Sequence, residues 1–261
     1  MTLSLRVTGV RADGYHELDA VAVCCDAPYD ELVIDPTDDI FTVVPCGAAP
    51  QDSSNLAIRA LQLLGVEAGM HLHKAIPSRA GVGGGSSDAA AVLRHFAQGR
   101  TDAEIRALAA TLGADVPVCY GQRAARMRGI GEILDFIELP GPVWLMIATP
   151  SFGCSTPEVY RAYDELAPPA RVGREIEAPP HWDGIVTSLR NDLELAAWAV
   201  EPRLAEFREK VECAIVRDAF LCGSGSSYAA WFNNQAEAEA CAAAVGAAIP
   251  DLRLLVSTRC Q

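Results

Sequence analysis

A glycine-rich stretch constrains the fold of this chain more than any other part of its 261 residues. It runs from residue 76 to residue 93, reads IPSRAGVGGGSSDAAAVL, and has glycine at positions 81, 83, 84 and 85. The residues before it, 70–76, alternate in polarity like a β-strand, and the alanine-rich residues after it have helical spacing. The sequence therefore predicts a strand, a loop without bulky side chains and a helix, in that order.

Such a loop exposes the backbone N–H groups at the start of the helix that follows. These groups have no partner inside the helix and carry about half a positive charge, so a phosphate that reaches them is bound favourably. The alternative is a tight turn that binds nothing, but a turn needs one or two glycines, whereas here four are followed by Ser86 and Ser87. A P-loop is excluded because no lysine follows the glycines, and a dinucleotide fingerprint would need glycine in place of Ser86.

The charge of the chain bears on how a phosphate compound would be held. Acidic residues outnumber Lys and Arg by 34 to 21, which gives a net charge of -13. A helix terminus contributes about 0.3 to 1 kcal/mol toward an anion, and ~2 kcal/mol when partly buried, which does not offset the charge of a triphosphate. We therefore expect a divalent cation, and Mg²⁺ held by Ser86 or Ser87 with one carboxylate would suffice. Lys74 and Arg79 flank the loop and could meet phosphate, although an isolated basic residue is more often solvated.

Composition argues against several other classes of partner. The acidic balance disfavours nucleic acid and anionic lipid. The nine cysteines are odd in number and include no C-x-x-C pair, which is typical of reduced thiols in a cytosolic protein rather than of a zinc site. No apolar run approaches the roughly 18 residues that span a bilayer, and the start of the chain lacks the apolar region of a signal peptide. We expect a cytoplasmic protein without a membrane partner.

The remaining pattern predicts an α+β protein with two lobes. In the first third, short apolar or alternating runs predict strands of one sheet at 3–8, 19–25, 31–35 and 41–45. Helical spacing predicts helices at 55–64, 86–97, 102–112, 157–165, 193–199, 203–216 and 235–247, and further strands are expected at 143–149, 228–232 and 252–258. The turn Pro140-Gly141-Pro142 divides the chain into lobes 1–142 and 143–261, the second with antiparallel strands. The polar residues 168–181 are predicted to form a flexible loop.

Several further motifs accompany the glycine loop, and together they resemble the GHMP kinase superfamily over nearly the whole chain. They are RADGYHELDAV at 11–21, LGADVPV at 112–118, GIGEIL at 129–134, TPEVY at 156–160, RND at 190–192 and LCGSGSSYAAWF at 221–232. The glycine loop alone indicates only the superfamily. DGYHEL with GADVPV is similar to members whose substrate is a methylerythritol linked to cytidine diphosphate.

The resemblance implies a fold and a reaction. The fold would have a ribosomal-protein-like α/β first lobe and a ferredoxin-like α+β second lobe. The reaction would transfer the γ-phosphoryl group of ATP to the tertiary 2-hydroxyl of the methylerythritol moiety, with Mg²⁺ bound at Ser87. The residues expected to wrap the ATP phosphates are Pro77, Ser78, Arg79, Ala80, Gly81, Val82, Gly83, Gly84, Gly85, Ser86 and Ser87.

The resemblance also assigns Asp115, the Asp of GADVPV, as the catalytic base. A carboxylate with a pKa of about 3.9 is a far weaker base than an alkoxide, so it can accept the proton only as phosphoryl transfer proceeds. Alignment and charge stabilisation supply most of the rate. Without the resemblance, Asp115 could equally be a turn residue beside Gly113 at the end of a helix.

Six residues are implied in substrate binding: Tyr15, His16, Thr156, Tyr160, Gly223 and Gly225. Tyr15 and Tyr160 would lie on opposite faces of the cytosine, and the imidazole of His16 would bond to its edge; base stacking on an aromatic ring contributes about 1 to 3 kcal/mol. From sequence alone, Asp13 and Gly14 would form a hairpin turn and Tyr15 would be an ordinary strand residue. These aromatic residues disfavour a sibling kinase for homoserine, mevalonate or a sugar. We expect a monomer or a weak homodimer.

The opening of the chain departs from the superfamily pattern. Members begin with a strand that reads roughly P-A-K-[IV]-N-L, whose Lys lies beside the catalytic Asp. Here the chain opens MTLSLRVTG, so Thr2 stands at the Asn position and the Lys would precede Met1. Three explanations stay open: the printed start is too late, the protein is a homologue that binds nucleotide without turnover, or Lys74 or an arginine substitutes for the missing Lys.

Overall fold

The computed structural model describes residues 1–45, 47–139, 141, 143–166 and 189–260. The elements of the first half are β1 (Thr2–Val10), β2 (His16–Ala22), β3 (Glu31–Asp35), β4 (Phe41–Val44), α1 (Leu56–Leu64), β5 (Gly69–His73), α2 (Gly84–His95), α3 (Asp102–Leu112), α4 (Val116–Gly121), β6 (Ala125–Gly129) and β7 (Ile133–Phe136). Those of the second half are β8 (Val143–Pro150), α5 (Thr156–Leu166), α6 (Glu194–Val200), α7 (Arg203–Ile215), β9 (Phe220–Leu221), β10 (Tyr228–Phe232), α8 (Gln235–Ala248) and β11 (Leu252–Cys260). The predicted flexible loop at 168–181 lies outside the described residues.

The strands of the first half form two sheets. One is antiparallel, in the order β1-β2-β6-β7, and the other has the order β3-β5-β4, with β4 parallel to β5. The prediction that the first four strands share one sheet is therefore wrong. The physical reason lies in β5, where the fully buried Leu72 is opposite Leu32 of β3 and Val43 of β4. Alternation shows which face of a strand is apolar but does not show which strand it pairs with.

Helices α1 to α4 pack around a shared apolar core that includes several alanines. Ala57, Ala60, Ala89 and Ala90 are all fully buried, which lets α1 approach α2 closely. Helix α1 begins as predicted, with the side chain of Asn55 accepting a hydrogen bond of 2.9 Å from the N–H of Ala57. Among the described residues, four elements were not predicted: α4, β6, β7 and β9. Each is at most six residues long and offers too short a window for a periodic pattern.

The second half folds as an antiparallel sheet in the order β11-β8-β10-β9, as predicted. Its core is continuous with that of the first half, because Leu5 and Met127 of the first sheet belong to the same buried cluster as Met146 and Tyr228 of this one. Strand β8 begins at Val143, directly after the proposed boundary at residue 142. Across the described ranges, no helix combines the length and apolar character needed to cross a bilayer.

Candidate active site

The predicted strand, glycine loop and helix are all present. Helix α2 begins at Gly84, and Gly83 before it has a φ of +81°, a left-handed conformation that glycine adopts without strain. No side chain caps this helix. The backbone N–H groups of its first turn are thus free of a capping side chain, which is the arrangement that favours an external anion.

Gly81 is the point at which the glycine loop meets the second lobe. Its φ is +77°, and a Cβ placed there would lie 2.4 Å from the carbonyl oxygen of Cys222 and 2.6 Å from that of Gly225. Beside it, the carbonyl of Ala80 accepts hydrogen bonds from the backbone N–H of Ser227 (2.9 Å) and from its hydroxyl (2.6 Å). The turn at residues 222–227 therefore fixes the position of the loop, and only glycine fits at residue 81.

A cavity of about 400 Å³ opens between the glycine loop, the first sheet and the second lobe. Its wall contains predicted site residues from four separate motifs, namely residues 77–86, Asp115, Thr156, Tyr160 and Gly223, and its apolar part is formed by Leu5, Leu18, Ala20 and Met127. The cavity thus unites a phosphate-binding loop, a carboxylate and an aromatic ring. Four predicted residues, Tyr15, His16, Gly225 and Ser87, are not among those that line it.

Asp115 lies in the turn before α4, and the turn between β6 and β7 packs behind it. The side chain of Asp115 makes no hydrogen bond to α4. On the other side, the turn between β6 and β7 packs directly against the neighbouring residue, because a Cβ at Gly131 would lie 2.4 Å from the carbonyl oxygen of Ala114. This contact gives the GIGEIL motif a role that the sequence did not reveal: it supports the turn that carries Asp115.

The environment of Asp115 disfavours its charged form. Burial raises the pKa of this carboxyl, while the Met1 ammonium acts in the opposite direction. Tyr160 is close enough to interact with the charge of Asp115, since its pKa is raised mainly by burial and next by Asp115. A raised pKa makes Asp115 a stronger proton acceptor than an ordinary aspartate once it is ionised.

The aromatic residues meet differently from the predicted sandwich. The rings of His16 and Tyr160 pack with centroids 4.8 Å apart at an angle of 37°, while Tyr15 is 61% exposed. The Nε2 atom of His16 lies 2.7 Å from a carboxylate oxygen of Asp164, and Tyr163 meets the same imidazole edge-on at 5.9 Å. Sequence reasoning missed both partners, yet residues 160, 163 and 164 share one face of α5, a helical spacing that could have revealed them.

The RND motif holds the glycine turn of the second lobe. The amide of Asn191 donates to the carbonyls of Leu221 (2.9 Å) and Gly223 (2.6 Å), and its oxygen accepts from the N–H of Leu193 (2.9 Å). On the other side, the hydroxyl of Ser224 lies 2.7 Å from that of Thr156. The turn that contacts Gly81 is therefore held by side chains from two other motifs.

Lys74 and Ser87, both considered above as possible phosphate or metal ligands, make internal hydrogen bonds. Lys74 has a side chain only 3% exposed, and its Nζ bonds to Asp30 (2.5 Å) and Asp88 (2.8 Å), so it is not a solvated lysine. Burial raises the pKa of Asp88 to about 7, against the opposing effect of Lys74. The hydroxyl of Ser87 donates to the carbonyl of Gly84 at 2.8 Å. In the described parts of the chain, no group of three or more His, Cys, Asp or Glu side chains could hold a metal ion.

Comparison with known proteins extends over both halves of the chain. The model of the GHMP kinases N terminal domain matches residues 55–122, and that of the GHMP kinases C terminal domain matches residues 183–251. The first range contains the glycine loop and Asp115, and the second contains Asn191 and Gly223.

Individual relatives agree with the family models. The 4-diphosphocytidyl-2-C-methyl-D-erythritol kinase of Cereibacter sphaeroides is 36% identical over 96% of this chain and 93% of its own length. That of Dinoroseobacter shibae is 38% identical over 96% and 89%. A crystal structure of 4-(cytidine 5'-diphospho)-2C-methyl-D-erythritol kinase matches with a TM-score of 0.75 and 32% identity, covering 99% of this chain and 96% of that one.

Proposed function

Since this chain belongs to the 4-diphosphocytidyl-2-C-methyl-D-erythritol kinase family of GHMP kinases, we propose that it transfers the γ-phosphoryl group of ATP to the 2-hydroxyl of 4-diphosphocytidyl-2-C-methyl-D-erythritol. This step belongs to non-mevalonate isoprenoid precursor synthesis. The resemblance and the two-lobed α+β fold expected from the sequence are both confirmed. The observation that carries the proposal is the single cavity in which the glycine loop, Asp115 and Tyr160 meet.

Asp115 would accept the proton of the attacking hydroxyl. Asp115 lines the cavity, its side chain does not cap α4, and burial raises its pKa. A general base contributes about 10² to 10⁴ in rate, and the remainder comes from alignment and from stabilisation of charge on the transferring group. The turn behind Asp115, in which Gly131 packs against Ala114, supplies part of that alignment.

The glycine loop fits the phosphates of a nucleotide. Gly83, Gly84 and Gly85 line the cavity at the N-terminus of α2, where no Cβ and no capping side chain blocks the backbone N–H groups. When bound, Mg²⁺ would neutralise phosphate charge in this acidic protein. Ser86 lines the same cavity, and the Ser87 hydroxyl keeps its acceptor lone pairs while it donates to Gly84, so both remain candidate ligands.

The cytidine end of the substrate would lie near His16 and Tyr160. Their packed rings border the cavity through Tyr160, and the exposed ring of Tyr15 is free to close over a base. Thr156, Gly223 and Gly225 lie on or beside the turn that connects this region to the glycine loop. The aromatic pair is the feature that favours a cytidine substrate over homoserine or mevalonate.

The test is release of ADP from Mg²⁺-ATP that depends on 4-diphosphocytidyl-2-C-methyl-D-erythritol. It is measured for the chain as printed and for one with the superfamily's P-A-K segment placed before Met1. Asp115→Asn is expected to lower kcat by at least about 100-fold without loss of ATP binding. Asp135→Asn is the matched control, because its carboxylate makes an exposed ion pair of 2.8 Å with Arg128.

Three outcomes would contradict the proposal. Binding of ATP by both chains without substrate-dependent ADP release would leave a nucleotide-binding protein that is not this kinase. Release with homoserine or mevalonate, but not with the cytidine compound, would assign the substrate elsewhere. If CMP did not compete with the substrate, the proposed cytidine site would be contradicted.

A further inference from the structure

Two cysteines from opposite ends of the chain lie side by side where the two lobes meet. Cys25 follows β2 and Cys260 ends β11, and the two residues form an antiparallel β-bridge with their Sγ atoms 3.8 Å apart. The eight cysteines within the described residues are all free thiols. We propose that Cys25 and Cys260 are a reversible oxidation site, which a hydroperoxide converts to a disulfide bond between the lobes.

The backbone already has the geometry that a disulfide needs. Residues directly opposite each other in an antiparallel pair have Cα atoms about 4.5 or 5.5 Å apart, and both values lie within the range of about 4.4 to 6.8 Å found for disulfides. The neighbouring residues hold this register, since Asp26 donates to the carbonyl of Arg259 and Ala27 donates to the hydroxyl of Thr258, each at 2.9 Å. The sulfur atoms need to approach by only about 1.8 Å, which rotation of the side chains can supply.

The structure also indicates which thiol reacts first. Cys25 lines a second cavity of about 240 Å³ together with Cys24 and Arg94, whereas Cys260 is only 2% exposed and does not line it. The hydrogen bond between the two thiols lowers the pKa of Cys25 in spite of burial and raises the pKa of Cys260. Because the thiolate is the nucleophile, a small oxidant that enters the cavity meets the more reactive sulfur.

The reaction balances in two steps. The Cys25 thiolate attacks one oxygen of hydrogen peroxide, the O–O bond breaks, and the leaving oxygen takes a proton to give water and a sulfenic acid on Cys25. The Cys260 sulfur then attacks the Cys25 sulfur, the S–O bond breaks, and a second water leaves with the thiol proton. The two thiols lose two electrons to one peroxide, and a dithiol reductant reverses the change.

The bond would restrain the unfolded chain strongly. It would join residues separated by 235 positions, and the constraint on the denatured state grows with the length of the closed loop. Because the reduced pair already lies in register, little strain opposes this gain. We expect oxidation to raise Tm by about 5 to 10 °C, fully reversed by dithiothreitol.

The test treats the reduced chain, as printed, with hydrogen peroxide and maps the product by mass spectrometry after Asp-N digestion. Cleavage before Asp19, Asp26 and Asp251 separates Cys25 from Cys260, so the proposal predicts a linked pair made of peptide 19–25 and the peptide that begins at Asp251. A matched melting curve measures the Tm shift. Neither readout depends on kinase activity.

Variants distinguish this pair from its neighbours. Cys24→Ser, one residue away, should keep both the cross-link and the Tm shift, while Cys25→Ser and Cys260→Ala should lose both. Peptide 19–25 contains both Cys24 and Cys25, so fragmentation between these two residues in the mass spectrometer identifies the linked sulfur in the parent chain, even if Cys260→Ala fails to fold. A cross-link through Cys24, or oxidation of Cys25 to sulfinic acid without any cross-link, would overturn the proposal.

Discussion

Substitution of Gly81 by alanine tests whether contact with the second lobe sets the position of the glycine loop. At a φ of +77°, alanine pays the left-handed strain of about 1 to 2 kcal/mol. Its Cβ would in addition lie 2.4 Å and 2.6 Å from the carbonyl oxygens of Cys222 and Gly225, so the loop or the turn must move. Overpacking of this kind costs about 1 to 3 kcal/mol more.

Gly99 provides a matched control for this substitution. Its φ is +78°, almost the same as that of Gly81, but nothing lies within 4 Å of a Cβ placed there. Gly99→Ala therefore carries the strain alone, and Gly81→Ala carries the strain together with the displacement. The difference between the two variants in the free energy of unfolding is the cost of displacing the loop or the turn.

The assay compares urea unfolding and steady-state kinetics of the two variants. Gly81→Ala is expected to be less stable than Gly99→Ala by about 1 to 3 kcal/mol, a Tm difference of about 2 to 4 °C per kcal/mol. Because a misplacement of about 1 Å can cost 10²-fold in rate, kcat/KM should fall by that order for Gly81→Ala and stay unchanged for Gly99→Ala. Equal stability and equal activity of the two variants would refute the reasoning that the turn fixes the loop.

Three further predictions concern charged and polar groups around the site. Lys74→Met leaves two buried carboxylates without their cation and should lower the free energy of unfolding in urea by about 3 to 5 kcal/mol. The control Lys210→Met removes an exposed ion pair and should change that free energy by less than about 0.5 kcal/mol. Asn191→Ala leaves two carbonyls at the glycine turn without their side-chain donor. It should lower kcat/KM about 10-fold and the free energy of unfolding by about 1 to 3 kcal/mol. The control Asn234→Ala loses a helix cap worth about 1 kcal/mol and should leave kcat/KM unchanged. Asp115→Asn should be more stable than the parent near pH 7, because a carboxyl whose pKa is raised on folding stabilises the fold at low pH and loses that contribution as pH rises. The difference in the free energy of unfolding should vanish toward about pH 4. Unfolding curves in which this difference widened toward low pH would contradict the prediction.

The parts of the structure that sequence reasoning predicted correctly are those with local causes. Helix α1 begins after Asn55, which bonds to the backbone two residues on, and the glycine loop is marked by the density of glycines within it. Sheet membership has no such local cause. Strands β3 and β4 join β5 because Leu32 and Val43 lie opposite Leu72 of β5, and no local pattern in β3 or β4 predicts this pairing.

The candidate site also contains both residues that sequence motifs identify and residues whose role depends on distant contacts. Residues proposed to touch the substrate or its phosphates, such as Asp115 and Tyr160, belong to motifs that the family resemblance identifies, although from sequence alone Asp115 could equally be a turn residue. Residues that hold those groups in place are ordinary in type, and only distant contacts give them a role. Asn191 reaches the carbonyl of Gly223 across 32 positions, and Lys74 reaches Asp30 across 44. An isolated lysine is more often solvated, and only the two carboxylates around Lys74 reveal that it is a buried structural cation. The alignment on which phosphoryl transfer depends thus rests on contacts that become visible only when the chain is folded.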